Sequence, residues 1–278
     1  MARWVPRLVA GEAPAAWAFT EPQTGSDPRQ LATTATPKGD GWMLSGQKLF
    51  ISFAAQAEVA LVFARTPQGV GAFLVETTDP GWTVGEPVEL LSFGGGEPAA
   101  VFLDDVTVTE DRVVGEPGDG FDVLLAGEGQ GKVRAGAICV GIAQRAIEEA
   151  AAYALDRTHR GTPIGTKFAQ IRTLLGEMAS SVLAARALVH HAAELIDAGA
   201  PVAEVAAAAR IVAGRAAREV TSNALQIGGA YGLTRELPLE RLYREGKFFD
   251  VAQGVVEIQK EIVAKHVLAR NPRRHLPT

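Results

Sequence analysis

The sequence predicts an α+β chain, with an antiparallel β-barrel or sandwich domain followed by an antiparallel four-helix bundle. Two observations carry that reading. Before about residue 120, apolar residues come in short runs broken by Gly and Pro, which is strand chemistry. From about Gly131 the apolar spacing becomes helical and stays so over long stretches. Between them lies Val113-Val-Gly-Glu-Pro-Gly-Asp-Gly120, a Gly/Pro/acidic seam. The expected parts are an N-terminal segment (1–15), a β-barrel domain (16–118) and a helical bundle (119–278).

In chain order, Gly41–Ser52 reads as the first clear strand, followed by Val59–Ala64. The turn residues Thr66-Pro-Gln-Gly69 lead into Val70–Val75. Asp79-Pro-Gly81 and Gly94–Pro98 mark further turns, with Ala99–Leu103 and Val106–Val108 after them. Six or seven short strands at this spacing suggest a small antiparallel barrel or sandwich. Ile138, Ile142, Ala146, Ala150 and Ala154 then step by four residues along a first helix. Ile171, Leu175, Met178, Val182, Ala185, Val189, Ala192 and Ile196 form a second stripe, broken at Gly199-Ala-Pro201. A third runs from Val202 to Ile227 and is expected to stop at Gly228-Gly229. A fourth helix is expected from about Val255 to Leu268. Long helices with short breaks argue for an antiparallel bundle. Their many alanines leave broad small-residue faces suited to contact between subunits.

The composition narrows the class. The 278 residues include 27 Lys+Arg and 32 Asp+Glu, a formal charge of −5, and 47% are hydrophobic. Mean hydropathy is +0.09 and the pI about 5.6. That is enough apolar material for a sizeable core, which excludes a disordered chain. An acidic chain is poorly suited to nucleic acid. The single cysteine, Cys139, sits in an apolar helical stretch and excludes an intrachain disulfide or multi-thiolate site. His159, His190, His191 and His266 show no metal-ligand spacing, so no metal is expected. No apolar run has the length of a membrane span, and the first residues lead into no signal-type segment. A soluble, cytoplasmic protein is expected.

Several segments together resemble the acyl-CoA dehydrogenase family, collinearly over essentially the whole chain. They are Thr20-Glu-Pro-Gln-Thr-Gly-Ser-Asp27, Leu44-Ser-Gly-Gln-Lys-Leu-Phe-Ile-Ser52, Gly141-Ile-Ala-Gln-Arg145 with Tyr153-Ala-Leu-Asp-Arg157, Gln226-Ile-Gly-Gly-Ala-Tyr-Gly232 with Leu242-Tyr-Arg-Glu245, and Gln253-Gly-Val-Val-Glu-Ile-Gln259. Arg3–Glu12 resembles the segment that follows the family's N-terminal helical domain, so a short form lacking that domain is expected.

The resemblance implies an FAD-dependent oxidoreductase that dehydrogenates an acyl-CoA thioester between its α and β carbons, in fatty acid or lipid metabolism. It implies an electron-transferring flavoprotein or similar acceptor, and a homodimer, a homotetramer or a hetero-oligomer with a related subunit. Thr20 and Ser52 correspond to donors to the flavin ring, and Phe50 to the aromatic packed on its face. Ser26, in Gly25-Ser26-Asp27, falls where the family touches a pyrophosphate. Arg157 corresponds to an arginine that reaches the flavin of a neighbouring subunit, and a guanidinium suits a diphosphate through its bidentate fork. Gln226, Gly228 and Gly229 resemble the adenosine-side contact. As ordinary sequence features, the hydroxyls would be strand-end residues, Gly25–Asp27 a surface turn, Arg157 a helix-end cation and the two glycines a C-cap.

The dinucleotide site departs from the family pattern in three places, of which the last two remove hydrogen-bonding groups. Arg160 stands where the family has an aromatic residue. Ala169 replaces a glutamine, although Gln170 is next to it. Val255 and Val256 replace hydroxyl-bearing residues.

The base position carries the largest departure. The family reaction needs a positioned carboxylate to take the α-proton. That position is Gln253, whose amide has no useful basicity at neutral pH. Some members carry the base on the first long helix instead, and that position is Gly131. Glu128, three residues upstream, is an alternative base, and Asp250 is another, although most such acids are solvated. Glu257 is an acid that relatives carry beside their true base. The resemblance is therefore compatible with an active dehydrogenase, with a degenerate one, and with a non-catalytic structural or regulatory subunit of a hetero-oligomeric dehydrogenase.

Overall fold

A computed structural model describes residues 3–25, 27, 30–92 and 96–271. The chain divides into two compact units, residues 1–127 and 128–278.

The first unit opens with helix α1 (Trp4–Val9), whose buried Trp4 ring meets the guanidinium groups of Arg3 and Arg7 at 4.9 and 5.1 Å. Seven strands follow: β1 (Ala15–Ala18), β2 (Thr34–Lys38), β3 (Gly41–Ile51), β4 (Val59–Thr66), β5 (Gly69–Glu76), β6 (Trp82–Val84) and β7 (Ala99–Thr109). They form one curled sheet in the order β1-β4-β2-β3-β7-β6, with β5 also on β4. Leu44, Ile51, Val62, Phe73, Val75, Val101, Val106 and Val108 build its core.

The sheet is mixed, which corrects the antiparallel expectation. β4 runs parallel to β1 and meets β2 in parallel, while β5 pairs with it antiparallel. The signal was present in Val59-Ala-Leu-Val-Phe-Ala64. Its residues are buried almost without alternation, as in a central strand with parallel neighbours rather than one with a wet face. Ala99–Thr109 is one strand, not two. Asp105, at φ 54°, kinks it where the sequence suggested a break. The bulge in β3 falls at Gly46, where a Cβ would sit 2.6 Å from the Thr33 hydroxyl.

Helix α2 (Gly120–Asp156) begins eleven residues earlier than its periodicity suggested. Gly127, Gly129 and Gly131 each lower helix propensity by about 1 kcal/mol. Buried Leu124 and Val133 hold the helix across that glycine-rich stretch. In the second unit α2 is followed by the hairpin β8 (Thr158–His159) and β9 (Thr162–Pro163), then α3 (Ile164–Lys167), α4 (Ala169–Asp197), α5 (Ala203–Gly232), α6 (Leu239–Phe248) and α7 (Val256–Arg270). The second stripe buries Met178, Val182, Ala185, Val189 and Ala192 as its spacing required.

Helix α5 breaks at Gly229 (φ 56°, ψ −138°), where its end was expected, and resumes to Gly232. Helix α6 adds to the four long helices expected. Its Leu239 and Leu242 are buried, and Gly246 abuts Ala217 and Thr221 of α5. No helix among the described residues is long and apolar enough to cross a membrane.

Candidate functional site

In the first unit, Thr20 and Ser52 lie on adjoining backbone. Leu49 donates its N–H to the Thr20 carbonyl at 2.8 Å, so the chain leaving β1 runs beside the end of β3. Phe50 has φ 56° and is 53% exposed. A left-handed phenylalanine costs on the order of 1–2 kcal/mol. Ser52 is exposed and Thr20 half-buried. Neither hydroxyl has a hydrogen-bond partner among the described residues. Ser26 lies outside the described residues.

A buried ion pair, which sequence reasoning missed, anchors this loop. Lys48 of β3 and Glu21 are both fully buried side chains, 2.7 Å apart. Nζ also donates to the carbonyls of Phe19 (3.2 Å) and Phe63 (2.5 Å). Glu21 accepts the N–H groups of Ala32 (2.6 Å) and Thr33 (3.1 Å). Burial draws Lys48 down to about 8 against the pull of Glu21. Burial works to raise the Glu21 carboxyl as well, but the hydrogen bond from Lys48 and the surrounding N–H groups hold it below its ordinary value. Three acceptors surround Nζ, and an ammonium group has three N–H donors to match them. The charged pair is therefore the form that satisfies every partner. Both residues sit inside the two motifs quoted above, but nothing in either motif marks the charge as buried.

In the second unit, the two positions where a base is expected come together. The side-chain oxygen of Gln253 lies 3.1 Å from where a Cβ on Gly131 would stand. Gly131 is buried in α2, and Gln253 is exposed at φ 59°, in the loop between α6 and α7. Neither is an acid. Glu128 pairs with Lys132 one turn along the same helix, at 3.1 Å. Asp250 is only 8% exposed, and both its oxygens accept from Arg218 (3.0 and 2.9 Å), with Lys247 at 2.9 Å. Burial works to raise its carboxyl, but the bonds from Lys247 and Arg218 hold it below the usual carboxylate range. A carboxylate so occupied is a structural anion rather than a proton acceptor. Glu257 is exposed in the first turn of α7, where it complements the helix dipole.

The loop carrying Gln253 is held from three helices. Arg210 of α5, 1% exposed, donates to the Ala252 carbonyl at 2.9 Å and stacks over Phe249. Arg218 and Lys247 fix Asp250. Gln259 of α7, also 1% exposed, reaches the Gly254 carbonyl at 3.4 Å. Arg210 went unrecognised because it occupies an apolar face of an alanine-rich helix. Cys139 is buried, and burial pushes its thiol up to about 11.

Arg157 is exposed at the end of α2, its backbone N–H bonded to Tyr153 and its carbonyl to Ile164. Arg160 and Gly161, at φ 52° and 76°, form the turn of the β8–β9 hairpin. Gln226 is exposed on α5. Gly228 packs where a Cβ would meet Leu239 at 2.9 Å, and Gly229 makes the kink.

Comparison with known proteins finds the acyl-CoA dehydrogenase middle domain over residues 16–106 and the acyl-CoA dehydrogenase C-terminal domain over residues 118–268. The chain belongs to the acyl-CoA dehydrogenase family. It is 36% identical over 271 residues to an acyl-CoA dehydrogenase of Bacillus subtilis, covering 96% of this chain and 71% of that one. It is also 36% identical to the mitochondrial short-chain specific acyl-CoA dehydrogenase of Bos taurus, covering 96% of this chain and 66% of that one. The chain thus spans about two thirds of the length of such relatives. The structure is similar to butyryl-CoA dehydrogenase of Megasphaera elsdenii, with a TM-score of 0.93, 32% identity and coverage of 96% and 71%. It is similar as well to a chain in the structure of the electron transferring flavoprotein of Acidaminococcus fermentans, with a TM-score of 0.94, 32% identity and coverage of 97% and 72%.

Proposed function

We propose that the chain is an FAD-dependent flavoprotein of the acyl-CoA dehydrogenase type, directed at α,β-dehydrogenation of an acyl-CoA thioester, with Gln253 standing where the base belongs. The observation that carries this reading is the meeting of Gln253 with Gly131. Two segments far apart in sequence, each expected to carry the family's base, lie against one another, and this supports the reading although neither carries a carboxylate.

The residues fit the cofactor by the chemistry of their donors. Thr20 and Ser52 supply hydroxyl groups without partners among the described residues, Phe50 an exposed ring and Arg157 an exposed guanidinium. FAD, when bound, supplies the acceptor for the β-hydride. Thr20 and Ser52 would donate hydrogen bonds to the edge of its ring. Arg157 would hold the diphosphate of a neighbouring subunit's flavin through its fork, with Gln226, Gly228 and Gly229 on the adenosine side, and Ser26 falls where the family touches a pyrophosphate. Gln253 hydrogen-bonds without accepting a proton, so wild-type turnover is slow.

The acyl thioester is the substrate, and an electron-transferring flavoprotein or similar acceptor is the partner. The assembly is a dimer or tetramer built through the helices α2, α4, α5 and α7, in the cytoplasm. The decisive measurement is acyl-CoA-dependent reduction of a dye by flavin-loaded protein, with butyryl-CoA as the first probe. Gln253→Glu is nearly isosteric and should raise the rate by about 10²–10⁴-fold. Absence of any rate in flavin-loaded Gln253→Glu overturns the catalytic reading.

The neutral residues at both base positions favour one second reading, a non-catalytic structural or regulatory subunit of a hetero-oligomeric dehydrogenase. In that case the chain co-purifies with a base-bearing relative, and Gln253→Glu leaves the activity of the complex unchanged. Robust wild-type turnover abolished by Glu128→Gln would move the base to Glu128 instead.

A further inference from the structure

We propose that Arg210 is a positioning residue: its buried guanidinium sets the loop Phe249–Gly254 so that residue 253 faces Gly131. This rests on the dehydrogenase reading above, because it assigns Arg210 a part in placing the proton-accepting position.

Gln253 is held in the left-handed region, and Gly254 beside it at φ 79°. A left-handed glutamine is unfavourable on its own by about 1–2 kcal/mol. The flanking backbone must therefore be held. The nearest such hold is the carbonyl of Ala252, one residue before Gln253, which accepts from Arg210 Nη2 at 2.9 Å. The same guanidinium stacks over Phe249 at 5.6 Å, gripping the loop at both ends of a four-residue span. Asp250, between them, is fixed by Arg218 and Lys247.

An arginine is a costly choice for this place. Its side chain is fully buried on an alanine-rich face, its Nε has no partner among the described residues, and burial depresses its basicity despite Cys139 and Asp250 nearby. An apolar residue would fill the same volume without leaving a buried donor unmet. What an apolar residue lacks is a donor for the Ala252 carbonyl. Gly214 on the next turn of α5 leaves the guanidinium its room, since a Cβ there would stand 2.9 Å from Nη1.

The test uses full-length protein and two readouts. In the first, amide hydrogen exchange compares wild type, Arg210→Lys and Arg210→Met. Positioning predicts that exchange in Arg210→Met accelerates locally, by about tenfold or more, over Val251–Gly254. Arg210→Lys, which keeps a donor, restores most of the protection. Acceleration spread evenly along α5 with an unchanged loop overturns the proposal and leaves Arg210 a core residue.

In the second readout, Arg210→Met is combined with Gln253→Glu. Misplacing the base by about 1 Å should lower kcat by about 10²-fold, while KM for butyryl-CoA stays within about threefold. An unchanged kcat in an active Gln253→Glu parent also overturns the proposal. A Gln253→Glu parent without turnover overturns the dehydrogenase reading instead, and the exchange comparison, which needs neither flavin nor chemistry, still decides the loop. Should Arg210→Met not fold, Phe249→Leu, which removes the stacking end of the grip, takes its place in both comparisons, and exchange over Val251–Gly254 unchanged from wild type then overturns the proposal.

Discussion

A methyl group at position 131 would sit 3.1 Å from the Gln253 amide oxygen, closer than that oxygen tolerates without moving. Gln253 is exposed and its side chain can swing away, so the cost falls on its placement rather than on the fold. The helix itself gains from the change, since Ala is favoured over Gly in a helix interior by about 1 kcal/mol. Gly131→Ala should therefore raise the unfolding free energy by about 0.5–1 kcal/mol. The same substitution in the Gln253→Glu background should lower butyryl-CoA-dependent dye reduction. Urea unfolding and steady-state rates measure the two effects separately. A stabilised variant with undiminished rate would mean that Gly131 imposes nothing on residue 253.

At the scale of elements, the segment from Phe19 to Thr33 and strand β3 are joined by the Lys48–Glu21 pair. Removing one partner leaves a buried uncompensated charge, which typically costs about 3–5 kcal/mol. Lys48→Met should lose about that much by urea unfolding at pH 7, and Lys48→Met with Glu21→Gln should lose less. The pH dependence follows from the sign of the Glu21 shift. Its carboxyl is held below its ordinary 4.5 in the folded chain. The unfolded chain therefore binds the proton first, and the stability Glu21 contributes is complete above about 4.5 and lost as pH falls through the folded value. Glu21→Gln should flatten the acid limb of stability against pH below 4.5. An acid limb identical to wild type would remove Glu21 from that account. Helix α2 makes a related point, because three glycines near its start weaken its local propensity and buried Leu124 and Val133 keep it continuous.

For the whole molecule, flavin retention is the first consequence of family membership. Purified protein should be yellow, with Arg157 contributing a charged hydrogen bond worth about 1.5–3 kcal/mol to diphosphate binding. Arg157→Ala should raise the FAD dissociation constant by about tenfold or more, read from flavin absorbance after dialysis. Unchanged flavin content would assign the guanidinium to the end of α2 alone. Ala169, Val255 and Val256 lack the polar groups expected near the dinucleotide, so a modest flavin affinity even in wild type follows from the same count.

Periodicity made the two halves legible, since each helix or strand must bury one face and its sequence records which face that is. The helical stripes led directly to Met178, Val182, Ala185, Val189 and Ala192. The resemblance of residues 253–259 to the family's base-bearing motif put the expected base at Gln253, where the sequence has an amide. Tertiary structure decided what depends on partners distant in sequence. The parallel pairing of β4 rests on which strands flank it, and a buried run is ambiguous between the alternatives. Helix α6 is short, and its two buried leucines acquire meaning only beneath α5. Lys48, Glu21 and Arg210 look like ordinary surface charges in one dimension, because nothing local states that their partners are buried carbonyls and carboxylates. The meeting of Gly131 with Gln253 is of the same kind: two neutral residues in separate segments become one site only when the chain brings them into contact.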